Sequence, residues 1–170
     1  MKYLAFIPAR GGSKGIQNKN LSVINGSPLI DYSFQSAKES HLVSAVHLSS
    51  DDEQIITLAK HRGIISFYKR PEHLASDEAK IIDVILYHLQ WLEENNQTLP
   101  ENIVLLQPTS PIRKHGLIDR CIEAFEKSGR ETLIAVSNCI QHPYETFCIE
   151  NEKLSFINKN VKRQLIRITL

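Results

Sequence analysis

The sequence contains little of what would indicate a disulfide-bonded, zinc-binding or membrane-spanning protein. Its three cysteines, Cys121, Cys139 and Cys148, are odd in number, form no CxxC motif and have no histidine at metal-binding spacing. This pattern predicts a reducing compartment and no structural zinc. The N-terminus lacks the features of a signal peptide, and no apolar run approaches the ~20 residues of a membrane span. We therefore expect a cytoplasmic protein with no membrane partner.

The chain also lacks an excess of charge of one sign. Its 170 residues include 20 Lys and Arg and 19 Asp and Glu, for a net charge of +1. This balance argues against a nucleic acid or an anionic membrane as the partner. Residues 1–30 nevertheless contain no acid and carry a group of cations: Lys2, Arg10, Lys14 and Lys19. A local cationic site in a neutral protein predicts a small anionic ligand.

The sequence does contain an alternation of apolar strand patterns and amphipathic helix patterns. We predict strands at 3–8, 43–49, 64–68, 103–107 and 132–137. We predict helices at 27–40, 50–63, 78–94 and 115–128. Strands that are apolar on both faces and separated by helices indicate a mostly parallel sheet in a three-layer α/β sandwich.

The pattern weakens after residue 137, where "ETFCIENEKLSFIN" predicts a hairpin that turns at Asn151 and Glu152. We therefore expect an α/β domain over 1–137 and a hairpin segment over 138–170.

Two helices carry specific signals. Ser50 and Glu53 have the spacing of a capping box, which predicts Ser50 as the N-cap of the second helix. In the third helix, Ile81, Ile85, Leu89 and either Trp91 or Leu92 recur at helical spacing and are expected to face the core.

The loops that follow the first four predicted strands are long and polar. They read "ARGGSKGIQNKN", "SSDD", "KRPEHLASD" and "QPTSPIR", whereas the loops at the opposite edge, such as "HRG", are short. Ligands of open α/β sheets bind beyond the carboxyl ends of the strands. The asymmetry of the loops therefore predicts a binding site at this edge.

The first of these loops combines small residues with positive charge. Gly11, Gly12 and Gly15 let the backbone approach a ligand and adopt positive φ. Arg10 can bind phosphate through two parallel hydrogen bonds, and the lysines act as point charges. The loop matches neither the P-loop nor the dinucleotide-binding fingerprint. Its composition predicts a polyphosphate site, and the alternative is a solvated basic loop.

The other loops leave alternatives open. Arg70, beside Pro71, is either part of the site or the rigid start of a helix cap. The segment "QPTSPIR" is either a ligand-binding loop or an ordinary turn. Asp51 and Asp52 are most simply helix caps, with metal binding as the alternative.

In this order and at these intervals, "IPARGGSKGIQNKN", "SSDDEQI", "KRPEHLASD" and "LLQPTSPIR" closely resemble the acylneuraminate cytidylyltransferases. That family includes relatives acting on legionaminic and pseudaminic acids, and its fold is nucleotide-diphospho-sugar transferase-like and Rossmann-related. The resemblance extends from Lys2 to about Gln164. The first loop resembles the corresponding loop of this family more than that of the ketodeoxyoctonate cytidylyltransferases.

The resemblance implies an enzyme that transfers CMP from CTP to the anomeric hydroxyl of a nine-carbon 2-keto sugar acid and releases pyrophosphate with Mg²⁺. It also implies that residues 1–137 bind the nucleotide and that residues 138–164 contribute to a homodimer. The implied catalytic residues are Arg10, Lys19 and Gln107.

The resemblance also implies which residues bind each part of the substrates. The triphosphate would be held by Arg10, Gly11, Gly12, Ser13, Lys14 and Lys19. Asn20 would contact ribose and phosphate, and the cytosine would contact Arg70, Asp77 and Ala79. Gln107 would lie between nucleotide and sugar, and Arg163 would lie near the sugar.

The sequence departs from the family pattern at its end. The family continues after the "R-Q" motif with an "NGAIYI" strand and a D-x-D segment that binds Mg²⁺, whereas this chain reads "KRQLIRITL". Glu145 also stands where some members have a sugar-side lysine. The metal ligands are therefore unassigned. A CTP-binding module with little catalysis, or an enzyme for another 2-keto sugar acid, are the alternatives.

Overall fold

A computed structural model describes residues 1–12 and 15–136, together with the backbone of residues 147–150 and 153–156. The chain divides into two compact units, Met1–Leu133 and Ile134–Leu170. Within the described residues, no helix is both long enough and apolar enough to span a membrane. Ser13, Lys14 and Arg163 lie outside the described residues.

The first unit is built on a parallel sheet whose central strand is β1, Tyr3–Pro8. β1 pairs on one side with β4, Ala45–Ser49, and on the other with β5, Asn102–Leu105. Isolated bridges from His47 to Ile65 and from Ser50 to Lys69 continue the sheet beyond β4. The predicted parallel sheet is confirmed. The strand predicted at 64–68 is reduced to these bridges.

Four helices cover the sheet: α1, Leu29–Lys38; α2, Glu53–His61; α3, Ile81–Glu94; and α4, Leu117–Ser128. One core cluster joins Tyr3, Ala5 and Ile7 of β1 to apolar residues of α1, α2 and α4. Phe6 lies on the opposite face with Val84 of α3. The sheet therefore has helices on both faces, as the predicted three-layer sandwich requires.

The prediction of a strand at 132–137 is wrong for residues 132–136, which are the part of this range that the structure describes. Residues 132–136 belong to no strand, and Ile134 and Val136 are strongly exposed. An apolar β-branched run stabilises a strand only when it pairs and buries one face.

Two details of the helices also differ from the prediction. Asp52, rather than Ser50, caps α2, because its Oδ1 accepts hydrogen bonds from the backbone N–H groups of Gln54 and Ile55. In α3 the fully buried stripe is Val84, His88 and Leu92, whereas Ile81 is exposed. The prediction is confirmed for Leu92, and the apolar periodicity does not indicate Val84 or the buried His88.

Two hairpins complete the described structure. β2, Val23–Ile24, and β3, Ser27–Pro28, pair across Asn25 and Gly26, which both have positive φ. This geometry is that of a type I′ turn, for which Asn-Gly is the preferred sequence. The second hairpin pairs β6, Phe147–Glu150, with β7, Lys153–Phe156, and confirms the hairpin predicted from the sequence.

Candidate active site

A pocket lies at the carboxyl ends of β1 and β5 in the first unit, with a cavity volume of about 220 Å³. It is lined by Pro8, Arg10, Lys19, Asn20, Arg70, Leu74, Ser76, Asp77, Ala79, Ile81, Val84, Gln107, Pro108 and Thr109. Because β4 and β5 flank β1 on opposite sides, the chain reverses its order across the sheet at β1. Such a switch point is where open α/β sheets bind ligands.

Three of the lining residues are cations, and they come from three separate segments. Arg10 follows β1, Lys19 begins a short 3-10 helix, Lys19–Leu21, and Arg70 follows Lys69, which forms an isolated bridge to Ser50. Asp77 is the one carboxylate among the lining residues and forms an ion pair with Arg10. The pocket therefore has an excess of positive charge, as binding of a polyanion requires.

Hydrogen bonds fix the start of the loop after β1. The Ala9 N–H donates to the Ser49 carbonyl at 3.0 Å, which continues the pairing with β4 by one residue. The Asn20 side-chain amide donates to the Arg10 carbonyl at 2.9 Å, so the two ends of the loop are joined. The loop thereby places Arg10 and Asn20 side by side at the pocket.

Gly11 is required where the loop passes the N-terminus of α2. Its N–H donates to Asp51 Oδ1 at 3.0 Å, and a Cβ at this position would lie 2.6 Å from Asp52 Oδ2. Gly12 and Gly15 have open space around them. None of the three has φ in the left-handed region. The glycine at position 11 therefore serves close packing, rather than the positive φ that the sequence suggested.

Arg70 is a buried guanidinium, only 6% exposed. Its Nε donates to Ser49 Oγ at 3.0 Å, and its Nη2 donates to the Ser49 carbonyl. Burial lowers the pKa of Arg70, and the nearby Asp51 carboxylate opposes this shift. Within the part of the chain that the structure describes, no carboxylate forms an ion pair with Arg70.

Gln107 is exposed at the rim of the pocket, in the loop after β5. Arg113 holds this loop, because its Nη2 donates to the Gln107 carbonyl at 2.9 Å and its Nη1 donates to Ser33 Oγ of α1 at 3.1 Å. Arg113 is the last residue of the motif "QPTSPIR", and its sequence context alone indicates no role for it. Arg113 is thus a positioning residue for the loop.

The structure brings together most of the predicted site residues. Those that line the pocket are Arg10, Lys19, Asn20, Arg70, Asp77, Ala79 and Gln107. Gly11 and Gly12 lie in the adjacent loop without lining the pocket. Ser76 and Thr109 also line the pocket. Both lie in the loop motifs, but the sequence did not predict them as site residues.

The described residues do not by themselves form a metal site. Among them, no three His, Cys, Asp or Glu side chains are grouped closely enough to hold an ion. Asp52 caps α2, Asp51 accepts from Gly11, and Asp77 is paired with Arg10. Neither Asp51 nor Asp52 is therefore assigned as a metal ligand.

A cationic pocket at the switch point of a parallel sheet is typical of α/β proteins that bind phosphorylated ligands. Comparison with known proteins narrows this class. The sequence profile described as "Cytidylyltransferase" matches residues 4–164. The chain belongs to the cytidylyltransferase family, in agreement with its loop motifs.

In the curated relatives, about a third of the aligned residues are identical to those of this chain. Pseudaminic acid cytidylyltransferase of Campylobacter jejuni is 34% identical over 152 residues, which are 89% of this chain and 65% of that protein. Post-translational flagellin modification protein B of Campylobacter coli is 36% identical over 141 residues, 83% of this chain and 60% of that protein. N-acylneuraminate cytidylyltransferase of Streptococcus agalactiae serotype V is 31% identical over 170 residues, 96% of this chain and 40% of that protein. The chain therefore spans roughly two thirds or less of these relatives.

Solved structures support the fold. CMP:2-keto-3-deoxy-manno-octonic acid synthetase complexed with CTP superposes with a TM-score of 0.59 at 19% identity, covering 76% of this chain and 49% of that protein. The structure of 4-diphosphocytidyl-2C-methyl-D-erythritol synthase superposes with a TM-score of 0.58 at 13% identity, covering 75% of this chain and 55% of that protein. At these identities the similarity concerns the fold alone.

Proposed function

We propose that this chain is a cytidylyltransferase that transfers CMP from CTP to the anomeric hydroxyl of a nine-carbon 2-keto sugar acid. The observation that carries the proposal is the pocket in which Arg10, Lys19 and Arg70 converge at the switch point of the sheet. Membership of the cytidylyltransferase family supports cytidine as the nucleoside.

We assign the residues as follows. Arg10 and Lys19 hold the triphosphate together with Ser13, Lys14 and the N–H groups of Gly11 and Gly12. Asn20 contacts ribose and phosphate; Arg70, Asp77 and Ala79 contact the base; Gln107 and Arg163 contact the sugar. The clustering of Arg10, Lys19, Asn20, Arg70 and Gln107 around one pocket supports the assignment.

The reaction requires positioning and charge stabilisation rather than a nucleophilic side chain. The anomeric hydroxyl releases its proton to solvent as its oxygen forms a bond to the α-phosphorus, the bond from that phosphorus to the β-phosphate oxygen breaks, and pyrophosphate leaves. Negative charge builds on the phosphoryl oxygens and on the leaving group. Arg10 and Lys19 stabilise this charge, and Gln107 orients the acceptor.

We retain Mg²⁺ as an expected cofactor, which when bound neutralises phosphate charge and lowers the pKa of the attacking hydroxyl. Mg²⁺ in nucleotide sites is held largely by phosphates and water, with one or two carboxylates. Among the described residues, Asp77 is the one carboxylate that lines the pocket, and the metal ligands stay unassigned.

The sugar is proposed only as a class. The relatives are named for pseudaminic acid, N-acylneuraminate and N,N'-diacetyllegionaminic acid, which favours a sialic-acid-like substrate. Ketodeoxyoctonate is the alternative. A competition assay with equal concentrations of these acids and CTP identifies the preferred acceptor through the CMP-sugar that forms.

The second candidate is a CTP-binding module with little or no catalysis. The observation that favours it is the departure of "KRQLIRITL" from the family's sequence pattern. We also expect a homodimer formed through residues 138–164, which light scattering of the purified chain would test.

Two measurements separate these proposals. Thermal shift with CTP, ATP, GTP and UTP tests the site, and we expect the largest stabilisation with CTP, because a ligand that binds only the folded state raises the unfolding temperature. Pyrophosphate release from CTP plus sugar acid and Mg²⁺ then tests turnover. Equal shifts with all four nucleotides would contradict the site. A CTP-specific shift without pyrophosphate release would favour the binding module.

A further inference from the structure

Three residues other than glycine have positive φ within the part of the chain that the structure describes. They are Asn18, Asn25 and Asn96, with φ of 51°, 48° and 53°. Asn25 lies in the type I′ turn between β2 and β3, and Asn96 follows the end of α3, where a left-handed residue commonly terminates a helix. Asn18 lies in the loop after β1, directly before Lys19, and neither explanation applies to it.

The side chain of Asn18 does not explain this conformation. Asn18 is the N-cap residue of the 3-10 helix Lys19–Leu21, a position where asparagine usually has extended backbone and caps the helix through its side chain. Here φ and ψ are 51° and 34°, and the side chain makes no capping hydrogen bond. Asparagine adopts the left-handed region more readily than most residues that have a Cβ. The residue type at position 18 therefore matters through its backbone.

The backbone of Asn18 closes the turn that follows it. Its carbonyl accepts hydrogen bonds from the Leu21 N–H at 2.8 Å, the Ser22 N–H at 3.0 Å and the Ser22 hydroxyl at 3.3 Å. The turn that these bonds close carries Lys19 and Asn20, and both residues line the pocket.

The far end of this turn is fixed by the rest of the first unit. Asn20 is only 6% exposed, and its side-chain amide donates to the Arg10 carbonyl at 2.9 Å. The Ser22 carbonyl accepts from the Leu29 N–H at 2.9 Å, at the start of α1. Because the turn is anchored after Asn20, the backbone conformation at Asn18 determines how the preceding loop enters it.

We propose that Asn18 is a positioning residue for the triphosphate site, because its left-handed backbone turns the loop so that Lys19 and Asn20 face the pocket. The inference rests on the proposed function for its ligand, CTP. Left-handed backbone at a residue with a Cβ costs free energy and is found preferentially at functional sites. A residue that adopts it less readily leaves fewer molecules with a competent turn, and the apparent Kd rises in inverse proportion to that fraction.

The first test varies the ease of the left-handed conformation. Asn18→Gly and Asn18→Ala both remove the side-chain amide, but glycine adopts positive φ freely and alanine does not. Measured by isothermal titration calorimetry, the Kd for CTP should stay within about twofold of the wild-type value in Asn18→Gly and rise about threefold to tenfold in Asn18→Ala. Equal Kd values for the two variants would overturn the proposal.

A matched control separates positioning from a general loss of stability. Asn25→Ala makes the same substitution at a left-handed asparagine that does not line the pocket, and it should leave the Kd for CTP unchanged. In a Lys19→Ala background, Asn18→Ala should raise the Kd by a smaller factor than in the wild type, because one of the groups that it positions is gone. An equal rise in Asn25→Ala, or an undiminished factor in the Lys19→Ala background, would contradict the inference.

The second test does not require nucleotide binding. Amide hydrogen exchange followed by NMR should show the Leu21 and Ser22 N–H groups protected in the wild-type chain, since both donate to the Asn18 carbonyl. Asn18→Ala should speed their exchange, and Asn25→Ala should not. Unprotected groups in the wild type, or exchange unaffected by Asn18→Ala, would overturn the inference. If the wild-type chain binds no CTP, the proposed function fails, and the exchange result alone decides whether Asn18 holds the turn.

Discussion

At the scale of the residue, Arg10 shows how the pocket prepares a cation before any ligand arrives. Its side chain is about two thirds buried, with 32% of its surface exposed, and it is paired with Asp77. Its carbonyl is held by Asn20. The guanidinium therefore begins with little conformational freedom left to lose, and this reduces the entropic cost of binding.

The first prediction concerns this residue. Arg10→Ala should weaken CTP binding by about 1.5–3 kcal/mol, the range for a hydrogen bond to a charged group. Isothermal titration calorimetry measures the change. Arg120→Ala is the matched control, because Arg120 is exposed on α4 and does not line the pocket. An unchanged affinity in Arg10→Ala would mean that the triphosphate binds elsewhere.

At the scale of the element, the loop after β1 and the N-terminus of α2 form one packed unit. Asp51 accepts from the Gly11 N–H, and Asp52 caps the helix directly beside the Gly11 Cα. Movement of either aspartate therefore disturbs both the loop after β1 and the start of α2.

A pair of alanine substitutions tests this packing. Gly11→Ala places a Cβ 2.8 Å from the Asp52 Cβ, whereas Gly12→Ala meets nothing within 4 Å. Because Asp52 cannot retreat without losing its capping hydrogen bonds, Gly11→Ala should cost about 1–3 kcal/mol of unfolding free energy. Gly12→Ala should change it by less than about 0.5 kcal/mol. Urea denaturation measures both values, and equal losses would contradict the packing argument.

The sequence predicts elements well where periodicity and burial coincide. The core strands β1, β4 and β5 and all four helices lie where the apolar patterns indicate. The pocket residues were predictable because their loops follow parallel strands. The hydrogen bonds that join Tyr68, His88 and His47 were not, because these residues are far apart in sequence and meet only after the sheet and α3 pack together.

At the scale of the whole molecule, two buried histidines make the free energy of unfolding depend on pH. Burial lowers the pKa of His47 to about 4, and burial together with the neighbouring His47 lowers the pKa of His88 to about 4. In the unfolded chain a histidine titrates near pH 6.5. Between these values the unfolded chain binds more protons, so the free energy of unfolding falls as pH falls from 6.5 toward 4.

We expect this loss to amount to about 2–3 kcal/mol for each of the two histidines. Urea denaturation at a series of pH values measures it. His88→Gln should reduce the slope over that range, whereas His61→Gln, at an exposed position on α2, should leave it intact. A free energy of unfolding that is constant between pH 6.5 and pH 4 would contradict the prediction.

The ion pair between Arg10 and Asp77 has a consequence for ligand selection. Since the pocket contains its own counterion, an incoming anion must compete with a carboxylate that is already in place. Chloride or another monovalent ion offers Arg10 no more charge than Asp77 does and gains little by the exchange. A triphosphate brings several charges, and under the proposed function it reaches Lys19 as well. We therefore expect the ion pair to favour the binding of polyvalent anions over that of the simple anions in the medium.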